Sequence, residues 1–165
     1  MRILLAIDGS GHSEAAIDAV DRRHLPANTE VRVISVVEPL PYFSSEAYPG
    51  DVASMSPYTE IEKASGERAR AGVESAAAKL RANGAARQLR VTTDVISGSP
   101  KQVILQEAER FAADLIVVGS HGHGGMVEHF LLGSVSQAVA QHARCSVEIV
   151  RSPKQETRAG EALGH

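Results

Sequence analysis

The sequence of 165 residues contains one cysteine, no tryptophan, and only three tyrosines and three phenylalanines. The lone cysteine, Cys145, excludes a disulfide within the chain and is typical of a reducing compartment. No apolar run approaches the ~20 residues that a membrane-spanning helix needs. The first apolar run is short and ends at Asp8, which indicates a first strand rather than a signal peptide. We therefore expect a cytoplasmic protein without a membrane partner.

Positive charge is also scarce. Lysine and arginine number 17 against 20 acidic residues, for a net charge of −3, and no basic patch is visible. Proteins that hold DNA or RNA through its phosphates usually show such a patch, so no nucleic-acid partner is expected. No lysine or arginine occurs from Phe111 to Ala143, and no Gly-x-Ser-x-Gly elbow is present. We predict no catalytic residues.

Apolar runs alternate with helical patterns along the whole chain. Continuous runs rich in β-branched residues predict five strands, RILLAI, EVRVISVVE, QLRVTTDVIS, DLIVVG and CSVEIV, with four helical patterns between them. Strands of this kind are typical of an open, doubly wound, mostly parallel α/β sheet with helices on both faces. Ligands of such sheets bind at the carboxyl ends of the strands, near the point where strand order reverses.

The loop after the fourth predicted strand is rich in glycine, with the sequence GSHGHGGMVEHFLLGSVSQAV. Ser134 and Gln137 predict a capping box at the start of the last helix. A helix amino terminus suits phosphate, and Gly119, Gly122 and Gly133 would let a polyphosphate approach the main chain. The loop is neither a P-loop nor a dinucleotide fingerprint. The alternative interpretation is a loop without a ligand before an ordinarily capped helix.

Residues near other predicted strand ends are further candidates for ligand binding. Asp8, with the small residue Gly9 behind it, could accept hydrogen bonds from a base or a ribose, although an Asx turn explains a lone aspartate equally well. Val36 could form an apolar wall for a flat ring, or simply belong to the core. The pair His121 and His123 could bind a metal, but no cysteine or acidic partner lies at ligand spacing, so loop histidines near phosphates are predicted. The proline-rich segment from Pro39 to Pro57 is predicted to be mobile or functional.

The motifs AIDGS, GSP, ADLIVVGSHGHGG, LLGSVSQAVAQHA and CSVEIVR occur in this order. With them the chain resembles the universal stress protein family from Arg2 to Arg151. The segment Gly119 to Ser134 is similar to that family's ATP-binding signature, which is Gly, two residues, Gly, nine residues, Gly, then Ser or Thr. The resemblance implies a parallel sheet of strand order 3-2-1-4-5 in residues 1–151. It also implies bound ATP with Mg²⁺. The polar composition of residues 152–165 predicts a fraying tail.

The resemblance assigns the phosphates and ribose to the glycine-rich loop, the adenine to Asp8, and recognition of the base edge to the main chain of Val36. The predicted ligand-binding residues are Asp8, Gly9, Val36, Gly119, Gly122, His123, Gly133, Ser134, Val135 and Ser136. One departure from the signature matters. Ten residues, His123 to Leu132, separate the second and third glycines where the pattern has nine. We expect the loop to absorb the extra residue.

The resemblance implies a nucleotide-responsive stress or regulatory module with slow or no ATP hydrolysis, at most a slow ATPase or an autophosphorylating protein. It also implies a homodimer through the last strand, Ser146 to Arg151, whose β-rich edge would favour pairing with a copy of itself. Two alternatives remain. The first is an interaction module of the same fold that binds no nucleotide. The second is a flavodoxin-like electron carrier, which the scarcity of aromatic residues disfavours.

Overall fold

A computed structural model describes residues 1–39, 56–84, 88–122 and 132–152. Strands and helices alternate as predicted. The elements are β1 (Arg2–Ile7), α1 (Gly11–Arg22), β2 (Glu30–Val37), α2 (Ser56–Gly84), β3 (Arg90–Ser97), α3 (Pro100–Arg110), β4 (Leu115–Gly119), α4 (Ser134–His142) and β5 (Ser146–Val150). Most of the predicted loop from Pro39 to Pro57 and the tail beyond Ser152 lie outside the described residues. No helix in the described ranges combines the length and apolar character that a membrane crossing needs.

The five strands form one parallel sheet of order β3-β2-β1-β4-β5, which confirms the predicted fold class and strand order. β1 lies at the centre, where Leu5 pairs with Val33 of β2 on one side and Val117 of β4 on the other. The chain runs outward from β1 through β2 to β3 and then returns to the opposite side of β1. The strand order therefore reverses between β1 and β4, which is where ligands of such sheets bind.

The sheet is covered by helices on both faces. Alternate side chains of β1 point to opposite faces, so Ile3 and Leu5 pack with α1 and α2, whereas Leu4 and Ala6 pack with α3 and α4. Leu4 and Leu5 are both fully buried, one on each face. Burial on both faces explains why the strands are continuous apolar runs rather than alternating ones.

The starts of α3 and α4 show different capping. Ser99 occupies the N-cap position of α3 and Pro100 the first turn, but the Ser99 side chain makes no capping hydrogen bond. In α4 the N-cap is Gly133 and Ser134 is the first helical residue, so the predicted Ser134 capping box is wrong. The reason is a contact distant in sequence: the N–H of Gly133 donates to the Ser120 carbonyl at 2.8 Å and sets where the helix begins.

A charged cluster lies between α3 and the sheet. Glu107, whose side chain is only 7% exposed, accepts from Arg110 at 2.9 Å and lies 3.0 Å from the Arg32 guanidinium of β2. The same guanidinium also contacts Asp94 of β3 at 3.0 Å. Buried charge is stabilised only when it is paired, so this cluster holds α3 against β2 and β3.

Candidate functional site

A cavity of about 580 Å³ opens at the carboxyl ends of β1, β2 and β4, at the reversal of strand order. Three loops and the first turns of three helices form its wall. The lining residues are Ala6, Ile7, Asp8, Ser13, Val36, Glu38, Pro100, Ile104, Val118, Gly119, His121, Gly122, Leu132, Gly133, Ser134, Val135 and Ser136. The size and the mixture of apolar walls with a few polar groups are typical of small-molecule sites.

Asp8 is held in position by the start of α1. Its Oδ1 accepts hydrogen bonds from the Ser13 hydroxyl at 2.5 Å and from the Ser10 N–H at 3.0 Å, while its own N–H donates to Ser13 Oγ at 2.9 Å. Ser10 in turn caps α1 by accepting from the N–H of Ser13. The carboxylate is therefore oriented before any ligand arrives, with its Oδ2 directed towards Gly122.

The glycines of the loop after β4 are explained by close contacts within the protein. A Cβ on Gly119 would lie 2.9 Å from the main-chain carbon of His12, and a Cβ on Gly122 would lie 2.7 Å from Asp8 Oδ2. A Cβ on Gly133 would lie 3.2 Å from the Ser120 carbonyl oxygen. The missing side chains of Gly119 and Gly122 thus let the end of β4 and the segment after it approach Asp8 and the first turn of α1. A role of these glycines towards phosphate stays a prediction.

Ser120, which is fully buried, anchors this loop beneath the cavity. Its N–H donates to the Val150 carbonyl at 2.7 Å, and its carbonyl accepts from the Gly133 N–H and the Ser136 hydroxyl at 2.8 and 3.0 Å. Because Ser136 directs its hydroxyl at the Ser120 and Gly133 carbonyls, this side chain supports the loop. The contacts of Ser120 join β4, β5 and α4 at one point below the cavity.

Two histidines flank the Ser120 hydroxyl. The Nδ1 atoms of His12 and His121 each lie 3.2 Å from Ser120 Oγ, and the two ring centroids are 5.2 Å apart. The N–H of Ser152 donates to His12 Nδ1 at 3.2 Å, so this ring nitrogen is an acceptor. His121 lines the cavity, and its Nε2 is buried without a hydrogen-bond partner. These histidines connect the first turn of α1 with the loop after β4 and the chain that leaves β5.

The cavity wall is acidic. Asp8 and Glu38 contribute carboxylates, and no lysine or arginine occurs among the lining residues that the structure describes. In those described ranges, no group of three or more histidine, cysteine, aspartate or glutamate side chains lies close enough to hold a metal ion by itself. A divalent cation would therefore need ligand oxygens beside these carboxylates, which suit Mg²⁺ chemically.

The structure brings most of the predicted site residues together. Of the ten predicted, eight line the cavity: Asp8, Val36, Gly119, Gly122, Gly133, Ser134, Val135 and Ser136. Gly9 lies beside it with a φ of 80°, a conformation that favours glycine, and does not contribute to the lining. His123 lies outside the described residues.

Sequence analysis missed several lining residues, among them Ser13, Glu38 and Ile104. Ser13 falls in the first helical turn after Asp8, a position from which a hydroxyl can reach back to the carboxylate. Glu38 directly follows β2, and position after a strand is the signal that could have found it. Ile104 lies one helical turn beyond Pro100, on the same face of α3, and faces the cavity together with Val36 of β2.

The fold and the site define a doubly wound α/β protein with a small-molecule cavity at its switch point. The model of the Universal stress protein family matches residues 1–151. The chain is 33% identical over 156 residues to Universal stress protein MJ0531 of Methanocaldococcus jannaschii, covering 94% of this chain and 84% of the relative. The chain therefore belongs to the universal stress protein family.

Solved structures support the same fold. Hypothetical protein MJ0577 superposes with a TM-score of 0.75 at 24% identity, covering 94% of this chain and 97% of the other. A universal stress protein family protein from Arabidopsis thaliana with AMP bound superposes with a TM-score of 0.63 at 21% identity, covering 96% of each chain. At these identities the likeness shows the fold alone.

Proposed function

We propose that this chain binds ATP together with Mg²⁺ in the cavity at the carboxyl ends of β1, β2 and β4. The observation that supports the proposal is that Asp8, Val36 and six predicted residues of the segment from Gly119 to Ser136, three places far apart in the sequence, line one cavity. Gly122 and Gly133 both reach the lining although ten residues separate them, so the departure from the ATP-binding signature leaves both glycines in place. The AMP bound to a structural neighbour is consistent with a ligand of this class.

In this proposal the adenine lies between Val36 and Ile104, with Asp8 accepting a hydrogen bond from the base or the ribose. The phosphates lie at the amino terminus of α4, whose first N–H groups have no acceptor one turn earlier in the helix. Ser134 and Val135 contribute these N–H groups, and the helix end adds about half a positive charge. The carboxylates of Asp8 and Glu38 are hard oxygen ligands suited to Mg²⁺ carried in by the nucleotide.

The same geometry favours slow or absent turnover. Phosphoryl-transfer sites use a fixed cation against the developing charge, and none occurs among the described lining residues. We therefore infer a nucleotide-responsive regulatory module of the cytoplasm, formed by residues 1–151 and followed by a tail in 152–165, rather than an efficient enzyme. We also infer a homodimer through β5 and the adjoining Arg151, since β5 is an edge strand whose other side carries no described strand.

Thermal unfolding with and without millimolar ATP and Mg²⁺ tests the proposal. A ligand at 100 times its dissociation constant adds about 2.7 kcal/mol to the free energy of unfolding. The informative variant is Ser134→Asp, because Ser134 is exposed, lines the cavity and opens α4. A carboxylate there stabilises the free helix by about 0.3–1 kcal/mol but repels phosphate.

We expect Ser134→Asp to melt at or above the parent temperature and to lose the ATP-dependent rise. The neutral control Ser134→Ala should keep most of that rise. A parent protein whose melting temperature does not respond to ATP, and which releases no nucleotide on denaturation, would contradict the proposal. That result would favour a universal stress protein that acts as an interaction module without nucleotide.

A further inference from the structure

We propose that the cavity selects nucleotides by their charge, with Glu38 as the residue that sets the selection. A nucleoside monophosphate, or a triphosphate already complexed with a divalent cation, is accepted, whereas metal-free ATP is disfavoured. This inference rests on the proposed nucleotide site and concerns which charged form of the nucleotide enters it.

The first observation is the pair of carboxylates in the wall. Asp8 accepts two hydrogen bonds on Oδ1, from the Ser13 hydroxyl and the Ser10 N–H. Glu38 follows the last residue of β2, is exposed and lines the same cavity. Both therefore place negative charge where the ligand would lie.

The second observation is the lack of compensating cations. None of the described lining residues is a lysine or an arginine. Lys101 in the first turn of α3 is exposed and does not belong to the described lining.

Helix termini supply the remaining positive potential, and it is small. Each helix amino terminus is equivalent to about half a positive charge. That of α1 is already turned to Asp8, through the N–H of Ser10 and the hydroxyl of Ser13. The termini of α3 and α4, which both border the cavity, together add about one positive charge, and this has to balance the phosphates. A terminal phosphate alone carries about −1.5 to −2 charges at neutral pH, so each further phosphate adds repulsion unless a divalent cation accompanies it.

Isothermal titration of the full chain at low ionic strength with adenosine, AMP and ATP tests the inference. In EDTA we expect AMP to bind more tightly than ATP. Excess Mg²⁺ should strengthen ATP binding by a larger factor than AMP binding and leave adenosine unchanged. Raising the salt concentration in EDTA should strengthen ATP binding, because screening weakens a repulsion.

The variant Glu38→Gln tests whether the charge of Glu38 sets which nucleotides bind. One unit charge about 10 Å from another in water changes a binding constant about twofold, so the variant should gain about twofold for each negative charge on the ligand. Metal-free ATP should therefore gain the most and adenosine nothing. The matched control is Glu30→Gln at the opposite end of β2, about 26 Å away at the rise of a strand, which removes the same charge and should leave all three affinities unchanged.

The titrations distinguish a failure of charge selection from a failure of the nucleotide site itself. Metal-free ATP binding more tightly than AMP, or Glu38→Gln affecting all ligands equally, would overturn charge selection and leave the nucleotide site intact. Absence of binding by all three ligands, with and without Mg²⁺, would overturn the nucleotide site and charge selection together.

Discussion

Glu107→Gln is expected to destabilise the protein by removing the charge at the centre of the cluster under α3. The Glu107 side chain is 7% exposed and the Arg32 side chain is 29% exposed, with 3.0 Å between the carboxylate and the guanidinium. The amide keeps the shape of the side chain, so the variant changes charge with little change in packing. Arg32 then keeps only Asp94 as an acidic partner within the described cluster.

The size of the expected loss in unfolding free energy depends on how deeply the Glu107–Arg32 ion pair is buried. Breaking a fully buried ion pair by removing one partner costs about 3–5 kcal/mol. Arg32 is partly solvated and retains one carboxylate, so we expect about 1–3 kcal/mol after allowing for solvent screening. In a domain of this size each kcal/mol lowers the melting temperature by about 2–4 °C. Urea unfolding, with an unchanged m-value, measures the difference.

Two further variants test this reasoning. Glu109→Gln removes a carboxylate that contacts Arg144 at 3.3 Å on the surface, where both side chains are more than half exposed, and should cost less than about 0.5 kcal/mol. The double variant Glu107→Leu, Arg32→Met replaces the pair by apolar groups and should recover part of the loss. A Glu107→Gln variant as stable as Glu109→Gln would refute the assignment of the cluster as a stabilising link between α3 and β2.

Three other predictions follow. Gly119→Ala should destabilise the protein by about 1–3 kcal/mol in urea unfolding, because its Cβ would lie 2.9 Å from the main chain of His12. Gly66→Ala in α2, where a Cβ meets nothing within 4 Å, is the control and should be neutral or stabilising by up to about 1 kcal/mol. Burial, with a smaller contribution from Asp114, raises the pKa of Cys145 above its ordinary 9.0, so alkylation should be slow at pH 7.5 and accelerate only in more alkaline buffer; rapid alkylation of the folded protein at pH 7.5 would contradict this. Light scattering at micromolar concentration should report a dimer, and a monodisperse monomer would refute pairing through β5.

Most of the fold could be predicted because its signals are local. The strands are continuous apolar runs, and Leu4 and Leu5 are buried on opposite faces because helices cover both sides. The strand order came from the family resemblance rather than from these patterns. The start of α4 could not be predicted correctly, since Ser134 has the composition of an N-cap, whereas a hydrogen bond from Gly133 to Ser120 decides the position.

The candidate site was only partly predictable. Asp8 and the loop glycines carry a recognisable motif, and the structure brings them to one cavity, while their role towards a ligand stays a prediction. Gly119 and Gly122 also make room for His12 and Asp8, a requirement that depends on contacts between separate parts of the chain. The signal for Glu38 is only its position after a strand, and an exposed acid at such a position resembles any solvated residue until the strand ends are brought together.

The hydrogen bonds of Ser152 have a consequence for how the protein opens. Its N–H donates to His12 at a sequence separation of 140 residues, and its hydroxyl donates to the Gly11 carbonyl at 2.8 Å. An edge strand held by one neighbour would ordinarily fray and exchange its amide protons early. Here the chain leaving β5 is joined to the first turn of α1. Detaching β5 therefore also breaks contacts of α1, and we expect the amides of both elements to exchange with deuterium in the same opening event.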